Sequence, residues 1–340
     1  MKEFTYAKAG VDISKIKKAH KSIAELLKET FSSRDGKFGK VLTEIGHYAG
    51  LIDIGNNKVL ALHTDGVGTK VLICQTLDRY ETIGIDVIAM ACNDIICLGA
   101  EPVALVDYLA IEEPNDEMIN EITKGLVEGA KQADIAIVGG ETAVMKDVIT
   151  GVKGKGFDVA AMCVGVVDKN KIIIGDKMQI NDVVIGLESS GIHSNGLTLA
   201  RKVLSEDHYD ELLKPTLIYV KPILEIIKNC EVHGLANITG GAFSKLMRIG
   251  EKAGLGFLLD NMPKLPKIFE LIKKEGNISD REMYRTFNCG IGFCVIVPES
   301  DSEKVIEICK KHEVKARKIG RTVKDKSVNV KTQSGTTIVS

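Results

Sequence analysis

Residues 82–98 constrain this chain more than any other stretch. The run TIGIDVIAMACNDIICL is almost wholly apolar around Asp86, Asn93 and Asp94. It predicts a helix, and a helix that is apolar all round belongs inside a fold. Buried carboxylates need hydrogen-bond partners, a counter-charge or a metal. Asp86 and Asn93 lie seven residues apart and point nearly the same way, with Asp94 offset by about 80°. Two readings follow. The three polar groups face a magnesium-bound nucleotide at one edge of the helix, or Asp86 caps the helix start while Asn93 and Asp94 bond locally.

A core able to enclose such a helix is available. The chain has 340 residues, 44% of them hydrophobic, which suggests about two domains of roughly 150 residues each. Its 45 basic and 46 acidic residues nearly cancel, which argues against a nucleic-acid partner needing a basic surface. No secretory leader and no apolar run of membrane-spanning length is visible, so a cytoplasmic protein without a membrane partner is expected. The eight cysteines form no CxxC pair and several sit in apolar runs, the pattern of buried, reduced thiols.

Strands and helices mix in both halves, predicting an α/β (α+β) fold of two domains, 1–167 and 168–340. Helices are expected over 12–31 with Asp12 as N-cap, 82–98, 116–134, 195–204, 215–228 and 302–312. Strands are expected at 50–54, 58–64, 103–110, 135–140, 158–167, 183–191, 289–298 and 316–323. Candidate chemistry sits at their ends. In TDGVGTK (64–70), Gly66 and Gly68 let backbone N–H groups approach an anion. Asp65 is suited to a Mg²⁺ ion that bridges phosphates, and Lys70 to phosphate charge. An ordinary tight turn is the plainer reading. GGETA (139–143) reads as a loop presenting the carboxylate of Glu141, or simply a surface glutamate. SSGIHSNG (189–196) places His193 among Ser190, Ser194 and Asn195 before a helix start, where free N–H groups favour phosphate. A histidine there suits proton transfer or phosphate binding, although a lone histidine is usually structural. NITGGAF (237–243) is a similar entry to a helix, and Arg285 in MYRTFNCGIG (283–292) has the reach for a phosphate.

Together these segments resemble the aminoimidazole ribonucleotide synthetase family. The matching pieces are YAKAGVD (6–12), TDGVGTK, TIGIDVIAMACND, GAEP (99–102), DYLA (107–110), GGETA, DVAAMCVGVV (158–167), SSGIHSNG, TGGAF and EMYRTFNCGIG, in order along nearly the whole chain. TDGVGTK and the Asn93-Asp94 pair are shared with a wider ATP-binding superfamily that includes selenophosphate synthetase and thiamine-monophosphate kinase. YAKAGVD, SSGIHSNG and MYRTFNCG are specific to the cyclo-ligase. The resemblance implies a purine-biosynthetic ligase that uses ATP and Mg²⁺ to close a ring on formylglycinamidine ribonucleotide. It also implies a homodimer whose N-terminal sheets pair into a barrel. Residue by residue it implies a nucleotide site of Asp65, Gly66, Gly68, Thr69, Lys70 and Asn93, and metal ligands Asp65, Asp94 and Glu141. Substrate contacts fall to Ser190, Ser194, Asn195 and Arg285, and catalytic roles to Asp94 and His193. The chain departs from the family at Asn237, where histidine is common, at Ala242, at Lys146, and in the glycine-poor GKFGKVL (36–42). A selenophosphate synthetase would carry an early reactive cysteine, whereas the first here is Cys74. A scaffold without catalysis would be expected to have lost Asp65, Asp94 and Glu141.

Overall fold

Alternation along one strand sets the first layer. In Lys58–Gly66, Val59 and Ala61 are buried while Leu60 and Leu62 are half-exposed. One face of a sheet is therefore packed and the other is not. The computed structural model describes residues 13–332 and 335–340, so YAKAGVD and the Asp12 cap lie outside the described residues. Six strands form the first sheet: β1 (Lys40–Val41), β2 (Gly50–Asp53), β3 (Lys58–Gly66), β4 (Glu101–Ile111), β5 (Ala136–Val144) and β6 (Phe157–Asp168). Their order is β1-β2-β3-β6-β4-β5, and only β4 and β5 run parallel. Within the chain this sheet is open, with β1 and β5 at its edges.

The second sheet has β7 (Val183–Glu188), β8 (Gly234–Asn237), β9 (Gly256–Leu259), β10 (Ile291–Val297), β11 (Ala316–Val323), β12 (Val328–Thr332) and β13 (Gly335–Ile338). It runs β13-β12-β9-β11-β7-β10-β8, with β9 and β12 parallel. The fold is thus mixed α/β on two sheets.

The helices of the first half are α1 (Ile13–Lys28), α2 (Lys70–Leu77), α3 (Glu81–Ile96) and α4 (Asp116–Ala133). The second half adds α5 (Leu197–Val203), α6 (Tyr209–Leu213), α7 (Val220–Asn229), α8 (Met247–Ala253), α9 (Lys267–Glu275), α10 (Asp280–Thr286) and α11 (Ser302–Lys311). The apolar run is α3. It lies on the packed faces of β3, β6 and β4, under α4, and its outer end meets α7 and β8 of the other half. α4 starts where Asn115 accepts a hydrogen bond from the Met118 N–H at 3.0 Å, the usual way a helix satisfies a free donor.

Three expectations are corrected. GGETA is no loop: β5 continues to Val144 because β4, paired beside it, runs to Ile111. The helix expected over 215–228 begins only at Val220. Residues 214–219 stay outside any helix because Asp86 and Asn93 take up backbone groups of Thr216, Leu217 and Tyr219, as described below. The lysine that ends TDGVGTK opens a helix, α2, that the sequence reading did not foresee.

α3 and α4 approach through glycines. A Cβ on Gly125 would stand 1.8 Å from the Glu81 carbonyl oxygen, and one on Gly84 would stand 2.2 Å from the Leu126 nitrogen. Alanine favours a helix over glycine by about 1 kcal/mol, but overpacking costs about 1–3 kcal/mol. Gly125→Ala, with backbone as the obstacle, is therefore expected to lower the melting temperature. A higher melting temperature would show that helix propensity decides at this contact.

Candidate active site between the two sheets

The polar residues of α3 all look toward the second half. Asp86 is fully buried, and Lys70 Nζ, also fully buried, stands 2.7 Å from its Oδ2. Its Oδ1 accepts hydrogen bonds from Thr216 N–H at 2.8 Å, Thr216 Oγ1 at 2.5 Å and Ser194 Oγ at 3.0 Å. Lys70 also donates to the Lys214 carbonyl at 2.7 Å. Seven residues on, the Asn93 amide donates to the Leu217 carbonyl at 2.8 Å and accepts from the Tyr219 N–H at 2.9 Å. Thr69 Oγ1 lies 3.0 Å from Thr198 Oγ1. These contacts tie TDGVGTK and α3 to SSGIHSNG and to the 214–219 segment.

The placement bears on three expectations. Lys70 is spent on Asp86 and has no exposed surface for a phosphate. The Asn93 side chain is taken up by the Leu217 and Tyr219 backbone. Asp86 is no helix cap, since its partners come from the other half.

Asp94 points to a different place. Its Oδ1 accepts from Asn237 Nδ2 at 2.7 Å, and its Oδ2 stands 3.5 Å from His63 Nε2. The same nitrogen is 3.9 Å from Asp65 Oδ2 and has no hydrogen-bond partner among the described residues. Asp94 is almost wholly buried whereas the Asp65 side chain is 39% exposed, so this acidic pair sits at the edge of a seam open to a ligand. Asp65 Oδ1 accepts from the Gly66 N–H, and Gly68 turns the chain at a φ of +56°. Lys245 comes from the second half: its ammonium bonds Thr239 Oγ1 and lies 5.8 Å from the centre of the Tyr48 ring. Burial lowers its affinity for a proton and Asp94 opposes that shift.

Sheet register separates Glu141 from this pair. Asp65 pairs with Ala161, Ala161 with Asp107, and Asp107 with Gly140, so that row shares the packed face. Glu141 belongs to the next row, with Tyr108, Ala160 and Gly66, and points to the opposite face. Among the described residues no group of three or more His, Cys, Asp or Glu side chains is arranged to hold a metal ion by itself. The set Asp65, Asp94 and Glu141 is therefore not assembled within one chain.

SSGIHSNG and MYRTFNCG clasp each other. Asn288 donates to the Gly191 carbonyl at 2.9 Å and Ser189 Oγ donates to Asn288 Oδ1 at 3.0 Å. A Cβ on Gly196 would meet the Phe287 ring at 2.4 Å. Ser190 Oγ donates to the Pro215 carbonyl. His193 is buried, with a left-handed φ of +61°. Its Nε2 accepts from the Ser190 N–H at 3.2 Å, and burial pushes its pKa down to about 3. Burial thus favours the neutral ring, whose Nδ1 has no hydrogen-bond partner among the described residues, and the Ser190 contact makes His193 part of what shapes the loop. The Asn195 side-chain nitrogen is buried with no partner among the described residues, and its oxygen faces Gly240. Arg285 stands half-buried on α10, which packs on the turn Ala242–Leu246. His63, Asp107 and Lys245 went unread in the sequence. Asp107 opens DYLA, and burial raises its carboxyl pKa. His63 directly precedes TDGVGTK.

Known proteins are similar to this chain in sequence and in fold. Models of AIR synthase related protein match 46–167 (N-terminal domain) and 179–333 (C-terminal domain). A Pyrococcus furiosus phosphoribosylformylglycinamidine cyclo-ligase is 51% identical over 319 residues, covering 91% of this chain and 92% of that one. The Methanocaldococcus jannaschii protein of the same name is 48% identical and covers 96% and 94%. The chain belongs to the phosphoribosylformylglycinamidine cyclo-ligase family. Structures outside the family share its fold. A thiamine-monophosphate kinase from Stenotrophomonas maltophilia aligns with a TM-score of 0.63 at 18% identity, over 89% of this chain and 95% of that one. T. maritima PurL complexed with ADP aligns at 0.61 and 15%, over 88% and 45%.

Breaking the Lys70–Asp86 pair tests the interlock on which this family member's seam is built. Lys70→Met is expected to cost about 3–5 kcal/mol, because it strands a buried carboxylate. Lys70→Met with Asp86→Leu should recover part of that loss. Denaturant unfolding of both variants measures it, and a single variant as stable as the wild type would refute the interlock.

Proposed function

We propose that this chain closes the imidazole ring of aminoimidazole ribonucleotide from formylglycinamidine ribonucleotide and ATP, releasing ADP and phosphate. The observation that carries the proposal is the 51% identity to a named cyclo-ligase over nine-tenths of both chains. The chemistry suits the seam. A formamide oxygen is a poor leaving group, so it is first phosphorylated. The γ-phosphorus separates from its bridging oxygen, whose electron pair leaves with ADP, and bonds the formamide oxygen. The neighbouring amidine nitrogen then attacks the formyl carbon, the C–O bond breaks, phosphate departs, the attacking nitrogen and the formamide nitrogen each lose a proton, and a tautomeric shift gives the aromatic ring. Phosphoryl transfer needs positioning and charge neutralisation above all.

Magnesium is bound elsewhere through one or two carboxylates together with substrate phosphates. A half-open pair, Asp65 and Asp94, around an unpaired histidine nitrogen fits that habit. These two would hold Mg²⁺, which would neutralise phosphate charge. Asn237 holds Asp94 in place, and Gly66 and Gly68 allow the backbone near the phosphates. Ser190, Ser194 and Thr69 act by fixing the two loops, and Asn195 and Arg285 remain the substrate contacts. The protein works in the cytoplasm as a homodimer. Supporting the dimer, Val103, Tyr108 and Met162 are more than 40% exposed on strands 103–110 and 158–167, an apolar patch of the kind that marks an interface.

Asp94→Asn keeps an acceptor for Asn237 but removes the charge. It is expected to reduce ADP release with formylglycinamidine ribonucleotide at least about 100-fold and leave the melting temperature nearly unchanged. Turnover near that of the wild type would rule out a role for the carboxylate. For the dimer, Met162→Asp should shift the sedimentation coefficient from dimer to monomer at micromolar concentration. A wild-type monomer would overturn this assembly.

A further inference from the structure

Two cations at the seam, Lys245 and Arg248, have no ion pair among the described residues, and both lie over the Tyr48 ring, Lys245 the farther from its centre at 5.8 Å against 4.9 Å. Lys245 forms no ion pair within 4.0 Å among the described residues, and its ammonium has a single hydrogen-bond partner, the neutral Thr239 hydroxyl. An ammonium carries three donors, and withdrawing it from water without a partner anion is costly. The other cations nearby are engaged. Lys70 is paired with Asp86, and Arg248 stacks 4.9 Å from the Tyr48 ring centre and donates to the His47 carbonyl. Lys245 stands on the second half, across from Asp65 and Asp94 on the first, and both carboxylates act on it electrostatically. Its backbone carbonyl accepts from the Tyr48 hydroxyl at 3.4 Å, which ties the turn that carries it to the first half.

We propose that Lys245 binds the terminal phosphate of ATP and neutralises it during transfer, the task that the motif TDGVGTK seemed to give Lys70. The inference rests on the ATP-dependent activity proposed above. A cation held by Asp65 and Asp94 would neutralise phosphate from the first half, and Lys245 would meet the transferring, terminal group from the second. The phosphorus–oxygen bond that breaks leaves its electron pair on ADP and the one that forms joins the formamide oxygen. Lys245 thus neither gains nor loses a proton.

The test uses the full-length protein with and without Lys245→Met. Calorimetry with magnesium and either AMP-PNP or ADP reads the terminal phosphate directly. The variant is expected to bind AMP-PNP at least about tenfold more weakly, the scale of one charge-assisted contact, while binding ADP within about threefold of the wild type. Lys245→Arg, which keeps the charge, should restore most of the loss. Equal weakening for both nucleotides, or for neither, would overturn the assignment. Steady-state assay of the same proteins separates the two readings. If the wild type makes no aminoimidazole ribonucleotide yet the nucleotide split persists, the activity falls and the phosphate role stands. If the wild type is active and Lys245→Met matches its kcat, the phosphate role falls alone.

Discussion

The two halves of this protein are joined through a carboxylate that no water reaches. Asp86 sits in the middle of an apolar helix, where an unpaired charge would be intolerable. It is matched by one ammonium and three hydrogen-bond donors, and those donors come from segments 108 to 130 residues away. The cost of burying the ion is met only if TDGVGTK, α3, SSGIHSNG and residues 214–216 adopt their native places together. Asn93 repeats the device about two turns further along the helix. The consequence is a seam with fixed walls, so a ligand entering beside Asp65 meets groups already oriented, which lowers the cost of organising charge for phosphoryl transfer.

The offset of Asp94 from Asp86 on α3 then decides which residues meet a ligand. The side that carries Asp86 and Asn93 is closed against the second half. The side that carries Asp94 reaches the seam edge, where His63 and Asp65 come up from β3. One helix thus supplies both the bolt and the site, and a shift of α3 by one residue, a rotation of about 100°, would take both out of place.

Much of this was legible in the sequence and some was not. The apolar run named α3 as buried and named Asp86, Asn93 and Asp94 as its problem residues, because burial follows from composition alone. It did not say which of them would be consumed internally, because their partners are remote in sequence. Lys70 was misread for the same reason: a lysine after a glycine-rich turn looks like a phosphate ligand until its counter-ion is known. His193 looked free in a Gly/Ser loop because the elements that enclose it, Tyr219 and Gly292, lie far along the chain. Lys245 was passed over because SKLMR reads as any helical surface, and nothing local marks its neighbours as acidic.

Glu141 shows what period-two geometry adds. Its neighbour Gly140 shares a row with Asp107, and a Cβ at 140 would come within 2.2 Å of the Asp107 carboxylate. The glycine is required by close approach on the packed face, so the residue after it must point outward. The extra residue Val138, where the β4–β5 register shifts, decides which of the two does so. The first sheet thus uses its faces differently: the packed face carries Asp65 and Asp107 beside α3, and the open face carries Glu141 among exposed Tyr108 and Met162. There Glu141 is exposed and accepts from the Thr142 N–H, so the pleat alone sets it on the far side of the sheet from Asp94.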